Sequence, residues 1–333
     1  MFLEFYGLRE QPFGVTPDPR FLYLTPGHRE ALASVYYGIE SGCGFVALIA
    51  KPGMGKTTLL FHLLEKFRHS ARTAFLFQTQ CSSRELMRFL LAELGVDSRD
   101  QDFVRMHEEF NRLLLREARA QRRFVVVIDE AQNLDETVME TVRLLSDFET
   151  PRAKLLQIIL SGQPELADKL ASRHLLQLRQ RISVLSRLRP LSVDEARMYI
   201  EYRLRVAGYS GPSPFSGEAL LAIARFSEGI PRNINTLCFN LLSLGCALRQ
   251  RVVDLKMVEE VISDLDIDER MNEVSDQLGS GPESSEVLAT EDFSSSHSKP
   301  WAMESGGHET LTPAEAKAYM RHLREQLRNC KGN

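Results

Sequence analysis

The stretch Ala50-Lys51-Pro52-Gly53-Met54-Gly55-Lys56-Thr57-Thr58 constrains this chain more than any other. An apolar run, Phe45 to Ile49, precedes it, and a helical pattern, Leu59 to Leu64, follows. Strand, glycine-containing loop, Lys-Thr and helix is the context in which backbone N–H groups turn inward around a phosphate. The helix contributes the positive end of its dipole, and Lys56 adds a full charge. Lys51, Pro52, Gly53, Met54, Gly55, Lys56, Thr57 and Thr58 are therefore the candidate nucleotide-holding residues, and Thr57 would put a hydroxyl on Mg2+. Ala50 stands where the G-x-x-x-x-G-K-[ST] form has its first glycine. It sits at a strand exit, where φ need not be positive, so binding is expected to survive. The competing reading is a glycine turn ahead of an ordinary surface helix.

A second apolar run, Phe124 to Ile128, ends in Asp129-Glu130. A strand without polar alternation is buried on both faces, as in a parallel sheet covered by helices. Ligands of such sheets bind beyond the carboxyl ends of the strands, which sets Asp129 beside the phosphate loop to hold Mg2+ through water. Glu130 is then the candidate to polarise the water that attacks the γ-phosphate. A carboxylate pair at this position also caps helices, which is the alternative. The run Lys154 to Leu160 reads as another strand and ends in Ser161-Gly162-Gln163-Pro164. Ser161 and Gln163 are both candidates for touching the γ-phosphate or the water, and Gln163 is counted with the nucleotide-holding residues. A plain Gly-Pro turn is the alternative.

Around these motifs the chain divides into 1–190, 191–268 and 269–333. Residues 1–27 are rich in aromatics and turn formers, so they cannot be a long helix, yet their rings need burial. They are expected to wrap over the nucleotide domain, part of them near the adenine. A helix from Thr25 to about Gly38 either borders the base or only packs. Residues 73–79 read as a strand, with helices at 83–94, 103–120 and 137–149. From Lys169 to Val193 there is no acidic residue but six basic ones: Lys169, Arg173, Arg179, Arg181, Arg187 and Arg189. Uncompensated, they look for an anion (DNA, lipid, a neighbouring subunit or its nucleotide) or form a solvated basic face. Ser192-Val193-Asp194-Glu195 is a capping box opening a small helical domain, with helices to Arg205 and over about 217–228, 231–248 and 254–264. Within it Gly229-Ile230-Pro231-Arg232 starts a helix sharply, and an arginine in a first turn opposes the dipole unless it serves an anion.

Charge argues against bulk nucleic-acid binding. The net charge of −4 lies in residues 271–333, which hold ten acidic and six basic residues, while the first 270 carry 35 of each. The five cysteines, Cys43, Cys81, Cys238, Cys246 and Cys330, lack metal-ligand spacing and read as reduced thiols of a cytosolic protein. No secretory leader is visible, and the apolar run from Leu237 to Leu248 is too short to span a bilayer. Residues 272–308, rich in Ser, Gly and Glu, read as disordered. A capped amphipathic helix follows from Thr312, either docking on a partner or standing free.

Taken together the chain resembles the AAA+ ATPases, and more narrowly the general secretion pathway protein A (ExeA/GspA-like) family. The resemblance covers about residues 1–265. It rests on Phe5-Tyr6-Gly7-Leu8 with Pro12-Phe13, Pro17-Asp18-Pro19-Arg20-Phe21, Ile128-Asp129-Glu130-Ala131-Gln132-Asn133-Leu134, Gly162-Gln163-Pro164-Glu165-Leu166, Leu178-Arg179-Gln180-Arg181-Ile182 and Gly229-Ile230-Pro231-Arg232. It implies an α/β fold: a P-loop nucleotide domain with a five-stranded parallel sheet, then a helical lid and a largely disordered tail. It also implies ATP and Mg2+ as cofactors and activity in a homo-oligomer. By position, Arg181 resembles the arginine that reaches a neighbour's ATP, with Arg179 as second choice, and Arg232 resembles the nucleotide-sensing arginine of the lid. Secretion members continue into a transmembrane segment and a peptidoglycan-binding region, whereas here a short polar tail follows. The expectation is a cytoplasmic ATPase, or one peripheral at the inner membrane, working with an envelope or secretion-system partner. A DNA-binding helper ATPase and a non-hydrolysing nucleotide switch are the alternatives.

Overall fold

Apolar strand runs alternating with capped helices build a parallel sheet whose carboxyl edge faces a helical layer. The computed structural model describes residues 2–265 apart from Val15, Gln78, Asp100, Pro151 and Arg152. After the helices α1 (Phe2–Tyr6) and α2 (Pro26–Glu40) the chain runs β1 (Phe45–Ile49), α3 (Lys56–Lys66), β2 (Ala71–Leu76), α4 (Ser83–Glu93) and α5 (Phe103–Arg119). It continues with β3 (Arg123–Ile128), α6 (Glu136–Leu145), β4 (Leu156–Gly162), α7 (Pro164–Ala171), α8 (Leu176–Arg181) and β5 (Ile182–Arg187). Then come α9 (Val193–Val206), α10 (Gly217–Phe226), α11 (Pro231–Ala247) and a last helix over 255–265.

The sheet order is β2-β3-β4-β1-β5, and every neighbouring pair is parallel. Ala47 of β1 lies beside Leu160 on one side and Leu185 on the other. All residues of β1 and β4 are buried; β1 accordingly reads as an unbroken apolar run, while β4 also buries Gln157 and Ser161. The order brings the ends of β1, β3 and β4 together at the carboxyl edge, so residues far apart in sequence meet there. Side-chain caps start the surrounding helices: Ser82 with Glu85 before α4, Asp102 before α5, Asp135 before α6, and Ser192 with Glu195 before α9.

Four sequence expectations are corrected. β2 begins at Ala71 and stops at Leu76, because its partner β3 ends at Ile128 opposite it. α6 ends at Leu145, short of Glu149: the residue before Pro151 disfavours the helical region, and Glu149–Thr150 pairs with Ala153–Lys154 in a small antiparallel hairpin. The turn also brings Phe148 onto Phe110 and His107. β5 falls inside the basic run and was not read as a strand, since an edge strand alternates half-exposed and exposed side chains. The aromatic N-terminal segment docks mainly on the helical layer rather than over the sheet. Phe2 meets Phe239, Phe13 meets Phe215, and Tyr23 meets Tyr199 and Tyr202 edge-on or tilted, while Arg9 N–H donates to Ala207 O at 2.8 Å.

The described residues up to Val261 form one compact unit. The linker at 272–308 and the helix from Thr312 lie outside the described residues. Among the described residues no helix is long and apolar enough to cross a membrane.

Candidate nucleotide-binding site

The loop after β1 turns on two left-handed glycines, Gly53 at φ +77° and Gly55 at φ +83°. Gly53 is required twice over, because a Cβ there would stand 2.7 Å from Cβ of Arg232. Ala50 is buried, has no left-handed backbone, and donates its N–H to Gly162 O at 3.0 Å, so the strand geometry simply continues through it. Gly55 opens α3, whose first residue, Lys56, is only 5% exposed. Its ammonium donates to Ala50 O at 3.2 Å and makes no ion pair with a carboxylate among the described residues.

Thr57, the next residue of α3, donates its hydroxyl to Asp129 Oδ2 at 2.7 Å. Ser161 donates to Oδ1 at 2.7 Å, and the Glu130 N–H to the same oxygen at 3.0 Å. Asp129 is 3% exposed and has no cationic side chain on it among the described residues. Burial pushes its carboxyl above the usual range, and the two hydroxyls pull only part of the way back. Glu130 has a left-handed backbone at φ +51° and lines the cleft. Gln132 Nε2 and Gln163 Nε2 both donate to its Oε2, at 2.6 and 3.0 Å. Burial alone would raise this carboxyl, but those bonds and the charges of Lys56 and Arg232 hold it below its usual range.

Of the two candidates at the end of β4, Gln163 reaches the cleft, whereas Ser161 is fully buried and braces Asp129 from beneath. Arg232 sits in the first turn of α11 and its N–H donates to Gly53 O at 3.2 Å. Gly229, at φ +67°, makes this approach possible: a Cβ there would fall 2.1 Å from Leu191 O. Pro52, Met54, Gly55 and Thr58 line the cleft with these residues, but Lys51 points away and pairs with Glu228 at 3.6 Å. Arg181 lies outside the cleft on α8, donating to Arg143 O at 3.1 Å and Ser146 Oγ at 2.7 Å and pairing with Asp147. Lys169 likewise spends its charge inside the chain, on Gln132 O and Leu134 O, so the basic run is not wholly uncompensated. Arg173, Arg179, Arg187 and Arg189 are exposed.

The rest of the cleft, about 210 Å3 in all, draws on the N-terminal segment and on α2, as the sequence led one to expect, and on Leu191, Tyr199, Arg203 and Asn235, which were not read from it. Residues 16–18 and 21–23 line it together with His28, Leu191, Tyr199, Arg203 and Asn235. Arg203 donates to Tyr199 Oη at 2.8 Å, and Tyr199 donates to Asn235 Oδ1 at 2.9 Å. His28 shares a 2.7 Å bond with Thr25 Oγ1, and burial pushes its imidazole below the ordinary range. No local pattern marks Tyr199, Arg203 and Asn235, because all three sit on helix faces that also look like core.

This donor set fits a magnesium triphosphate. Among the described residues the buried ammonium of Lys56 has no carboxylate partner and the buried carboxylate of Asp129 no cation, and the loop before Lys56 is left-handed at both glycines.

Comparisons with known proteins agree with this geometry. The family described as AAA domain matches residues 39–170. General secretion pathway protein A of Aeromonas hydrophila is 39% identical over 239 residues, which is 72% of this chain and 44% of that protein. The chain thus spans less than half the length of this relative. An uncharacterized HTH-type transcriptional regulator of Methanocaldococcus jannaschii is 29% identical over 147 residues, 43% of this chain and 35% of that one. Among solved structures, the ORC2 protein of Aeropyrum pernix aligns with a TM-score of 0.59 at 16% identity, covering 76% of this chain and 71% of that chain. A Walker-type ATPase of Pyrococcus abyssi aligns at 0.55 and 19% identity, covering 80% of each. These two likenesses carry the fold alone. Loop, acidic strand end, sheet order and sequence likeness together give the chain an α/β P-loop fold with an AAA domain at residues 39–170, similar to general secretion pathway protein A.

Proposed function

We propose that the chain is a Mg2+-dependent ATP hydrolase that works as a homo-oligomer for a bacterial envelope or secretion-associated system. The observation that carries hydrolysis is the meeting of Thr57, Asp129 and Glu130 beside Lys56 at one end of the cleft. In this reading residues 1–190 hold the nucleotide, 191–268 act as a lid and 269–333 form a tail. The lack of a membrane-spanning helix among the described residues supports a cytoplasmic or peripheral location. The secretion role draws its support from the relative's name and its 39% identity.

Lys56 and the N–H groups of residues 52–58 bind the phosphates. Thr57 and Asp129, joined by their hydrogen bond, would hold the metal. Bound Mg2+ supplies charge neutralisation on the triphosphate. Glu130, with a carboxylate kept ionised by its neighbours, accepts a proton from the attacking water. Gln163 stands close enough to Glu130 to orient the same water. Arg232 reports the state of the phosphates to the helical layer through the first turn of α11. Arg181, outside its own cleft and already turned toward α6, serves a neighbouring subunit, and a finger of this kind is worth roughly 10³–10⁵ in turnover.

Lys56→Ala or Glu130→Gln is expected to abolish steady-state hydrolysis, and normal turnover in either purified variant refutes the assignment. Arg181→Ala is expected to lower turnover with ATP binding intact; a variant that loses binding instead refutes the finger. The exposed Arg173, Arg179, Arg187 and Arg189 favour one second reading, a DNA-binding helper. Salt-dependent DNA binding that disappears in Arg187→Ala/Arg189→Ala would support it.

A further inference from the structure

Glu130 is held by more than its own backbone. The turn Ala131–Asn133 that follows it brings Gln132 back against its carboxylate. Both amide donors, from Gln132 and Gln163, converge on Oε2, and no donor is found on Oε1 among the described residues. The Gln132 carboxamide cannot turn over. Its Oε1 accepts the Gln163 N–H at 3.1 Å, so its Nε2 must face Glu130; the reversed amide would set oxygen against oxygen. Gly162 leaves room for it, since a Cβ there would stand 2.7 Å from that same Oε1. Lys169 closes the arrangement from behind by donating to Gln132 O and Leu134 O.

We propose that Gln132 is a positioning residue for hydrolysis: it ties down Oε2 of Glu130 and leaves Oε1 as the one free acceptor of a carboxylate lining the cleft. The inference rests on the reading of Glu130 as the group that handles the attacking water. Gln132 itself does not line the cleft, so its effect passes through Glu130 and not through the nucleotide. A carboxylate free to rotate would present either oxygen and lose the fixed line to the water, a cost in rate and not in binding.

Two variants of the full chain test this with Mg2+ and ATP. Gln132→Glu keeps the volume and the acceptor for the Gln163 N–H but replaces the donor with a like charge. Gln132→Ala removes both. Each is expected to lower kcat about tenfold or more, with KM and the affinity for a fluorescent ATP analogue unchanged. In a Glu130→Gln background neither change should slow the residual single-turnover rate further, because the group through which Gln132 acts is gone. The proposal is overturned if Gln132→Glu turns over normally. It is equally overturned if the loss appears in KM or affinity, or if the loss persists in the Glu130→Gln background. Should Gln132→Ala not fold, Gln132→Glu decides alone. Wild-type turnover in Glu130→Gln itself would instead overturn the reading beneath, and Gln132 with it.

Discussion

Two buried carboxylates flank β3, and the sheet treats them in opposite ways. Glu117, at the end of α5 just before the strand, has a side chain with no exposure. It is met by Arg72 at 3.2 Å, Arg122 at 2.7 Å and Arg116 at 3.8 Å. Burial would raise its carboxyl, but the bonds from Arg122 and Arg72 bring it below its usual range. Asp129, just beyond the other end of the strand, is about as buried but meets hydroxyls and one N–H, and its carboxyl is pushed up. Inside a protein a negative charge needs a positive one. Glu117 has its cations covalently within the chain and is finished as a structural element. Among the described residues Asp129 meets no cation, which suits the metal-holding role proposed for it.

The contrast can be broken most sharply at Asp129. Asp129→Asn is expected to cost about 10²-fold or more in phosphate release, since metal and phosphate charge go uncompensated. Its thermal midpoint without nucleotide should stay level or rise, because an unpaired buried charge has gone. A clear fall in the midpoint would mean Asp129 is structural after all. Glu117→Gln should do the reverse. Turnover per folded molecule is retained, while urea unfolding shows a loss of about 2 kcal/mol, below the usual cost of orphaning buried charges because the arginines can rehydrate.

Acid titration separates the two by sign. Glu117 has a depressed carboxyl, so its stabilisation is full above the ordinary carboxylate range and is lost as pH falls through its folded value. Asp129 has a raised one, so its penalty is present near neutrality and fades as the group protonates. Without metal, the stability gaps between wild type and the variants Glu117→Gln and Asp129→Asn should therefore have opposite signs at pH 7, and both should close below the ordinary range. The finest test is Arg116→Ala. This arginine is the most exposed of the three partners, and removing it should change stability by no more than about 0.5 kcal/mol.

Only one of these two carboxylates was legible in the sequence. Asp129 follows an unbroken apolar strand and stands at a fixed relation to a glycine loop, so local pattern finds it. Glu117 reads as one more charge on a helix, because Arg72 joins it from 45 residues away. The same rule divides the rest. β1, β3, the Ser192 capping box and the phosphate loop are written in short windows and were read nearly to the residue, whereas β4 was read two residues early, from Lys154 instead of Leu156. β5 was lost inside a charge pattern, and α6 was read too long because the pairing of Glu149–Thr150 with Ala153–Lys154 around Pro151 was not read. Arg203, which joins α9 to Pro12 and Gly14, is invisible locally for the same reason. Gln132 was quoted only as part of a motif, since its bond to Gln163 requires knowing that β3 and β4 are neighbours.

The bond from the Arg232 N–H to Gly53 O has a thermodynamic consequence. Phosphate loop and helical layer share that bond directly, so the free energies of events on either side are linked. Whatever grips α9, α10 or α11 from outside and disturbs the bond must change nucleotide affinity by some factor. By reciprocity, nucleotide then changes the strength of that grip by the same factor. A partner placed on the outer face of the helices could read the occupancy of the cleft without approaching the nucleotide at all.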